Sequence, residues 1–80
     1  MKISIEYCGE WNYRPEASRV EVELKQNYPD AEITLNKSSG GIFDVKCNGT
    51  LIYSKQNVKG RRFPNKGEIT RLIVQERSCL

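Results

Sequence analysis

The chain of 80 residues contains three cysteines and no histidine, so the chemistry open to its side chains is thiol chemistry without the usual general base. The thiols at Cys8, Cys47 and Cys79 are odd in number and widely spaced, which fits neither a disulfide framework nor a zinc site. Cys8 stands apart from the other two. It closes an alternating apolar run and opens Gly9-Glu10-Trp11-Asn12-Tyr13-Arg14-Pro15, in which Gly9 allows a sharp turn and Pro15 suits the first turn of a helix. A cysteine on a strand-to-helix turn faces the free amides and positive dipole end of that helix, which favour the thiolate. A dithiol exchanger carries a second cysteine three residues on, to resolve the mixed disulfide. Here that position is Trp11.

The elements that must position this thiol follow from periodicity. Residues 2–7 alternate, with Ile3, Ile5 and Tyr7 on one side and Lys2, Ser4 and Glu6 on the other, the mark of a strand with unlike faces. From Pro15 to about Tyr28, the apolar residues Ala17, Val20, Leu24 and Tyr28 recur at helical spacing, leaving Glu16, Arg19, Glu23 and Lys25 to face water, and Pro29 stops the helix. Ala31, Ile33 and Leu35 begin a second alternating strand, which a helical crossover should lay parallel to the first. After Ser38-Ser39-Gly40-Gly41 a strand starts at Ile42 with Phe43, Val45 and Cys47 on one face. Asn48-Gly49 is a two-residue hairpin signal, and residues 50–54 return. A basic loop, residues 55–63, leads through Pro64 to a last helix capped by Asn65, with Glu68 as capping-box acid and Ile69, Leu72 and Ile73 buried.

The order β-α-β-β-β-α predicts an α/β (α+β) fold, a four-stranded mixed sheet carrying two helices, with the first strand central. If the third strand runs antiparallel to the first, Ile42 and Phe43 lie beside Cys8, and Cys47 lies roughly 10 Å or more away at the opposite end. That exceeds the Cα separation of about 7 Å a disulfide tolerates, so Cys47 reads as core rather than as a resolving thiol. The last helix runs away from Cys8 and carries Cys79 to the far end, in a polar segment expected to fray as a tail. Cys79 is second from the end, which misses the position required for prenylation. The loop before that helix brings Arg61, Arg62 and Phe63 toward the thiol.

A chain this short holds one small domain, residues 1–80, whose core stabilises it by a few kcal/mol at roughly this length. The net charge of +3 is spread along the chain, so no nucleic-acid partner is expected. Met1-Lys2 runs into a polar-alternating strand without an apolar signal region, and no apolar run approaches the roughly 20 residues of a membrane span. The expectation is a cytoplasmic protein with no membrane partner. Asn48-Gly49-Thr50 matches a glycosylation sequon, but in this context it reads as a turn.

At this point the sequence resembles the selenoprotein W family, the Rdx group of thioredoxin-like proteins. The resemblance rests on Tyr7-Cys8 after the first strand, Asn12-Tyr13-x-Pro15, Asn27-Tyr28-Pro29, Gly41-Ile42-Phe43-Asp44-Val45, Asn48-Gly49-x-Leu51-Ile52-Tyr53-Ser54-Lys55, and Gly60 with Phe63-Pro64. It covers nearly the whole chain, and the order and spacing of the motifs carry it rather than any single one. The family is built on a Cys-x-x-Sec or Cys-x-x-Cys site, and its members are described as thiol-redox proteins linked to glutathione and to phosphoserine-binding adaptor proteins. The resemblance therefore implies a thioredoxin-like domain in which Cys8 is the attacking thiol. Trp11 departs from the family pattern.

Two functions remain open on these residues. In one, Cys8 acts as a monothiol, exchanging with glutathione or a protein disulfide, with glutathione as co-substrate and no other cofactor. Gly9 and the first amides of the helix then stabilise the thiolate, Arg14, Arg61 and Arg62 favour it and receive the partner's carboxylates, and Glu6 and Glu10 oppose it. In the other, loss of the second thiol has left a redox-inactive module that docks a protein through Trp11, Tyr13, Phe63 and the surrounding arginines. Against both stand plainer readings: Cys8 as a small buried hydrophobe, Trp11 as cover for the core edge, and Arg61-Arg62 as a solvated loop.

Overall fold

The computed structural model describes residues 1–79. It contains β1 (Lys2–Cys8), α1 (Arg14–Asn27), β2 (Glu32–Ser38), β3 (Phe43–Cys47), β4 (Thr50–Ser54) and α2 (Glu68–Gln75), followed by one 3₁₀ turn, Arg77–Cys79. The strand order is β2-β1-β3-β4, with β1 parallel to β2 and antiparallel to β3, and β3 antiparallel to β4. This is the four-stranded mixed sheet with two helices that the periodicity predicts, with β1 central. Element ends differ from the sequence reading by one or two residues, as helix and strand ends do.

Alternation sorts the sheet into two faces. Ile3, Ile5 and Tyr7 of β1, Phe43, Val45 and Cys47 of β3, and Tyr53 of β4 are buried in one cluster with Ala17, Val20 and Leu24 of α1 and Ile69 and Ile73 of α2. The β3–β4 hairpin turns at Asn48 and Gly49, with φ of 51° and 86°, the two positive values that a tight hairpin turn needs and that Asn-Gly accepts. Register shifts between Val45 and Lys46, so Ile52 is an extra residue in β4 that bends this edge strand. Asn48 also accepts a hydrogen bond from the Lys2 amide at 2.9 Å through Oδ1 and donates its own amide to the Lys2 carbonyl at 2.7 Å, fastening the hairpin to the start of β1.

Two expectations fail at α2. Asn65 does not cap it: the N-cap is Gly67, with φ of 80° and no side-chain hydrogen bond of its own. The cap comes from α1 instead. Glu23 Oε1 accepts the Gly67 amide at 2.8 Å and Glu23 Oε2 accepts the Thr70 hydroxyl at 2.9 Å, putting a carboxylate where the helix dipole favours one. Glu23 thus joins the helices rather than only facing water, while Arg19 is exposed as expected and also donates to the Pro64 carbonyl at 2.6 Å. Glu23→Ala is expected to destabilise the fold by about 1–2 kcal/mol, and Thr70→Ala should add much less in the Glu23→Ala background than alone. Additive effects in urea melts would show that the two residues act separately.

The second failure concerns the segment after α2. Instead of fraying as a polar tail, it makes the 3₁₀ turn that seats Cys79 in the core at 2% exposure.

Candidate functional site

Cys8 is the last residue of β1, and its backbone is fixed from both sides. Its amide donates to the Ile42 carbonyl at 2.9 Å and its carbonyl accepts the Tyr13 amide at 3.0 Å, while the Gly9 amide reaches the Ser38 carbonyl at 2.9 Å. Residues 9–13 therefore form a looped turn, not a direct step into the helix, with Asn12 at a φ of 58° closing it. Helix α1 starts six positions after Cys8 with no side-chain cap. No hydrogen bond among the described residues reaches the Cys8 sulfur. The side chain is fully buried, at 0% exposure.

Trp11, in the position of the missing second thiol, does not fill the space beside Cys8. It is 62% exposed, and its ring lies against Gly41, where an added Cβ would sit 2.9 Å from Trp11 Cε3. With a φ of 72°, Gly41 is confined to glycine twice over, by its backbone and by this ring. From Trp11 a line of edge-to-face rings runs inward. Trp11 meets Tyr13 at 6.1 Å between centroids, Tyr13 meets Phe63 at 4.7 Å, and Phe63 meets the fully buried Phe43 at 5.3 Å. The exposed indole is the outer end of a stack rooted in the core, an arrangement that gives a contact aromatic rigidity.

The cations are arranged differently from the expectation. Arg62 grips Glu68 with two bonds of 2.7 and 3.0 Å and donates to the Phe63 carbonyl at 3.2 Å, and its own carbonyl takes the Tyr53 hydroxyl. Burial pushes the Tyr53 phenol up. Arg62 is therefore a clamp on its loop rather than the solvated side chain of the plainer reading. Arg14 is directed to Tyr7, donating to its hydroxyl at 3.4 Å, and to Ser18 at 3.3 Å. Arg61 and Glu10 are exposed.

Two cations absent from the sequence-based set stand closer to the turn. Lys55 Nζ lies 5.4 Å from the centroids of both Tyr13 and Phe63, within cation–π range. The carbons of Lys37 cover Gly9, where an added Cβ would meet Lys37 Cγ at 2.7 Å. The sequence signal for Lys37 was its register: it pairs with Tyr7, one residue before the thiol. Lys55 carried a weaker one, as the residue that follows the strand returning toward Cys8. The structure thus brings together Cys8, Gly9, Trp11, Tyr13 and Phe63, adds Lys37, Lys55 and Gly41, and turns Arg14 and Arg62 to other partners. Among the described residues no group of three or more His, Cys, Asp or Glu could hold a metal ion, and no helix is long and apolar enough to cross a membrane.

The sheet order and the two helices define an α+β protein with a thiol at the end of its central strand and an aromatic three residues on. The family model described as the Rdx family matches residues 2–75, and the chain belongs to the Rdx family. Selenoprotein W of Danio rerio is 35% identical over 63 residues, covering 75% of this chain and 73% of its own length. Selenoprotein W of Gallus gallus is 29% identical over 63 residues, covering 75% and 74%. The crystal structure of a selenoprotein W-related protein from Vibrio cholerae shares the fold at a TM-score of 0.83, with 22% identity and 92% of each chain covered. Membership assigns the chain a redox-related role at the level of the family.

Proposed function

We propose that the chain performs this role as a shielded monothiol, docking a disulfide-bearing partner at the Trp11 face and exposing Cys8 only when the 9–13 turn opens. The observation that supports this reading is the pairing of a fully buried Cys8 with a Trp11 that is 62% exposed. In the open form the Cys8 thiolate attacks one sulfur of a protein or glutathione disulfide. That S–S bond breaks, and the departing sulfur leaves as a thiolate that takes up the proton Cys8 gave away. One external thiol attacks the Cys8 sulfur and frees the partner's second thiol. A second external thiol then displaces Cys8, so that Cys8 is restored, the partner is reduced and the two external thiols leave joined as a disulfide. Lys37, Lys55 and Arg61 supply the positive charge that a partner carboxylate meets on this face. The same burial favours a second reading, in which the face docks a protein and Cys8 takes no part.

The two separate on the rate of Cys8 modification by oxidised glutathione, followed by intact mass and peptide mapping with Cys8→Ser as control. The expected result is one adduct on Cys8, formed more slowly than on the unfolded chain and several-fold faster in Trp11→Ala, which frees the 9–13 turn from Gly41. A native chain whose Cys8 stays unmodified in both proteins would rule out exchange. Docking that survives Cys8→Ser would then be the function of this face.

A further inference from the structure

Two further thiols lie at the end of the sheet opposite Cys8. Cys47 is the last residue of β3, paired with Ile3 at the start of β1, so the full length of β1 separates it from Cys8. Cys79 reaches the same place from the other direction, through the 3₁₀ turn that follows α2. Both side chains belong to the one core cluster, at 0% and 2% exposure, and the two thiols share a hydrogen bond. Two cysteines 32 positions apart are thus neighbours in one part of the core.

We propose that Cys47 and Cys79 form a reversible disulfide, a redox-modification site independent of Cys8, made by exchange with low-molecular-weight disulfides such as oxidised glutathione. The structure also sets the order of events. Cys47 lies in a strand hydrogen-bonded on both sides, to β1 and β4, and stays covered while the sheet is intact. Cys79 is held by a single turn, its amide donating to the Glu76 carbonyl at 3.1 Å and the Glu76 amide to the Ile73 carbonyl at 3.2 Å. That turn can open without disturbing the sheet.

In the closed form, burial, and after it the hydrogen bond with Cys47, pushes the Cys79 thiol well above the ordinary range, so the pair is inert until the turn lifts. On opening, the Cys79 thiolate attacks glutathione disulfide, forming a mixed disulfide and releasing one glutathione thiolate. When the turn re-docks, Cys47 attacks the Cys79 sulfur and displaces the second glutathione. Each protein thiol gives up one proton, both protons end on glutathione, and the two electrons lost by the cysteines reduce its disulfide. The product ties the segment after α2 to β3 and closes a long loop, which should raise the melting temperature by roughly 10–20 °C.

The test is incubation of the whole chain with excess oxidised glutathione under native conditions. Acid quenching, alkylation, intact mass and non-reducing peptide mapping follow, on the wild type and on Cys8→Ser. The expected result in both is a peptide linking Cys47 to Cys79 and a higher melting temperature that a reductant reverses, with an intact mass lower by two hydrogens in Cys8→Ser and the same loss, with or without a glutathione on Cys8, in the wild type. Cys79→Ala removes the linked peptide. A stable glutathione adduct on Cys79 without closure, a disulfide that includes Cys8, or unchanged thiols at 47 and 79 would each overturn the proposal. In Cys8→Ser the linked peptide forms or fails to form independently of any exchange at Cys8.

Discussion

Phe63→Ala is expected to destabilise the protein by about 3 kcal/mol, enough to lower the melting temperature of a domain this size by more than 10 °C. Phe63 is only partly buried, but it is the middle of the ring line, 4.7 Å from Tyr13 on one side and 5.3 Å from Phe43 on the other. Truncation removes both edge-to-face contacts and one of the two rings that receive Lys55. The effect extends beyond stability. Without Phe63, Tyr13 loses its inward support, and the Tyr13 amide is what fixes the Cys8 carbonyl at the end of β1. Cys8 should therefore react faster with oxidised glutathione in Phe63→Ala than in the wild type, under conditions where both are folded. Phe63→Leu separates the causes, because it keeps most of the apolar volume and loses the ring geometry. Urea melts that place Phe63→Ala within 0.5 kcal/mol of wild type, roughly the range of a neutral surface change, would show that the ring line does not organise this end of the molecule.

Local signals carried most of this fold. The alternation of Ile3, Ile5 and Tyr7, the helical spacing of Ala17, Val20 and Leu24, and Asn48-Gly49 each depend on neighbours a few residues apart, and each predicts its element. The crossover rule then makes β1 central and sets Ile42 beside Cys8, where its carbonyl takes the Cys8 amide. What the sequence hid were contacts between distant elements. Glu23 caps α2 across 44 positions, and from its own neighbours it reads as a solvated helix residue. Arg62 and Glu68, six residues apart, match no helical pair spacing, so Arg62 looks free in sequence and is clamped in space. Cys79 shows the same limit most sharply. Topology sends both Cys47 and Cys79 to the end of the sheet away from Cys8, yet the polar residues around Cys79 read as a tail. Only packing shows that the turn folds back and buries it.

Arg62 and Glu68 also make the stability of this end of the protein depend on pH. The bidentate bond from Arg62 holds the Glu68 carboxyl well below its ordinary value of 4.5, at about 2, and the Asn65 amide, donating at 2.9 Å, acts in the same direction against partial burial. A group whose folded value is depressed adds stability above its unfolded value and loses it as the pH falls through the folded one. The contribution of Glu68 is thus complete above about pH 4.5 and disappears progressively toward pH 2. Because the Arg62 side chain is 43% exposed, solvent screens the pair, and the worth of the carboxylate is about 1–2 kcal/mol rather than the full shift. Glu68→Gln should cost that amount at neutral pH, and the gap between variant and wild type in urea melts should close between pH 4.5 and 2. Comparing the two proteins at each pH cancels the other carboxylates, which titrate alike in both. A gap that stayed constant with pH would mean that Glu68 acts through packing rather than through its charge. Arg62 would then hold its loop through the Phe63 and Tyr53 contacts alone, and the loop carrying Phe63 would depend on hydrogen bonds rather than charge.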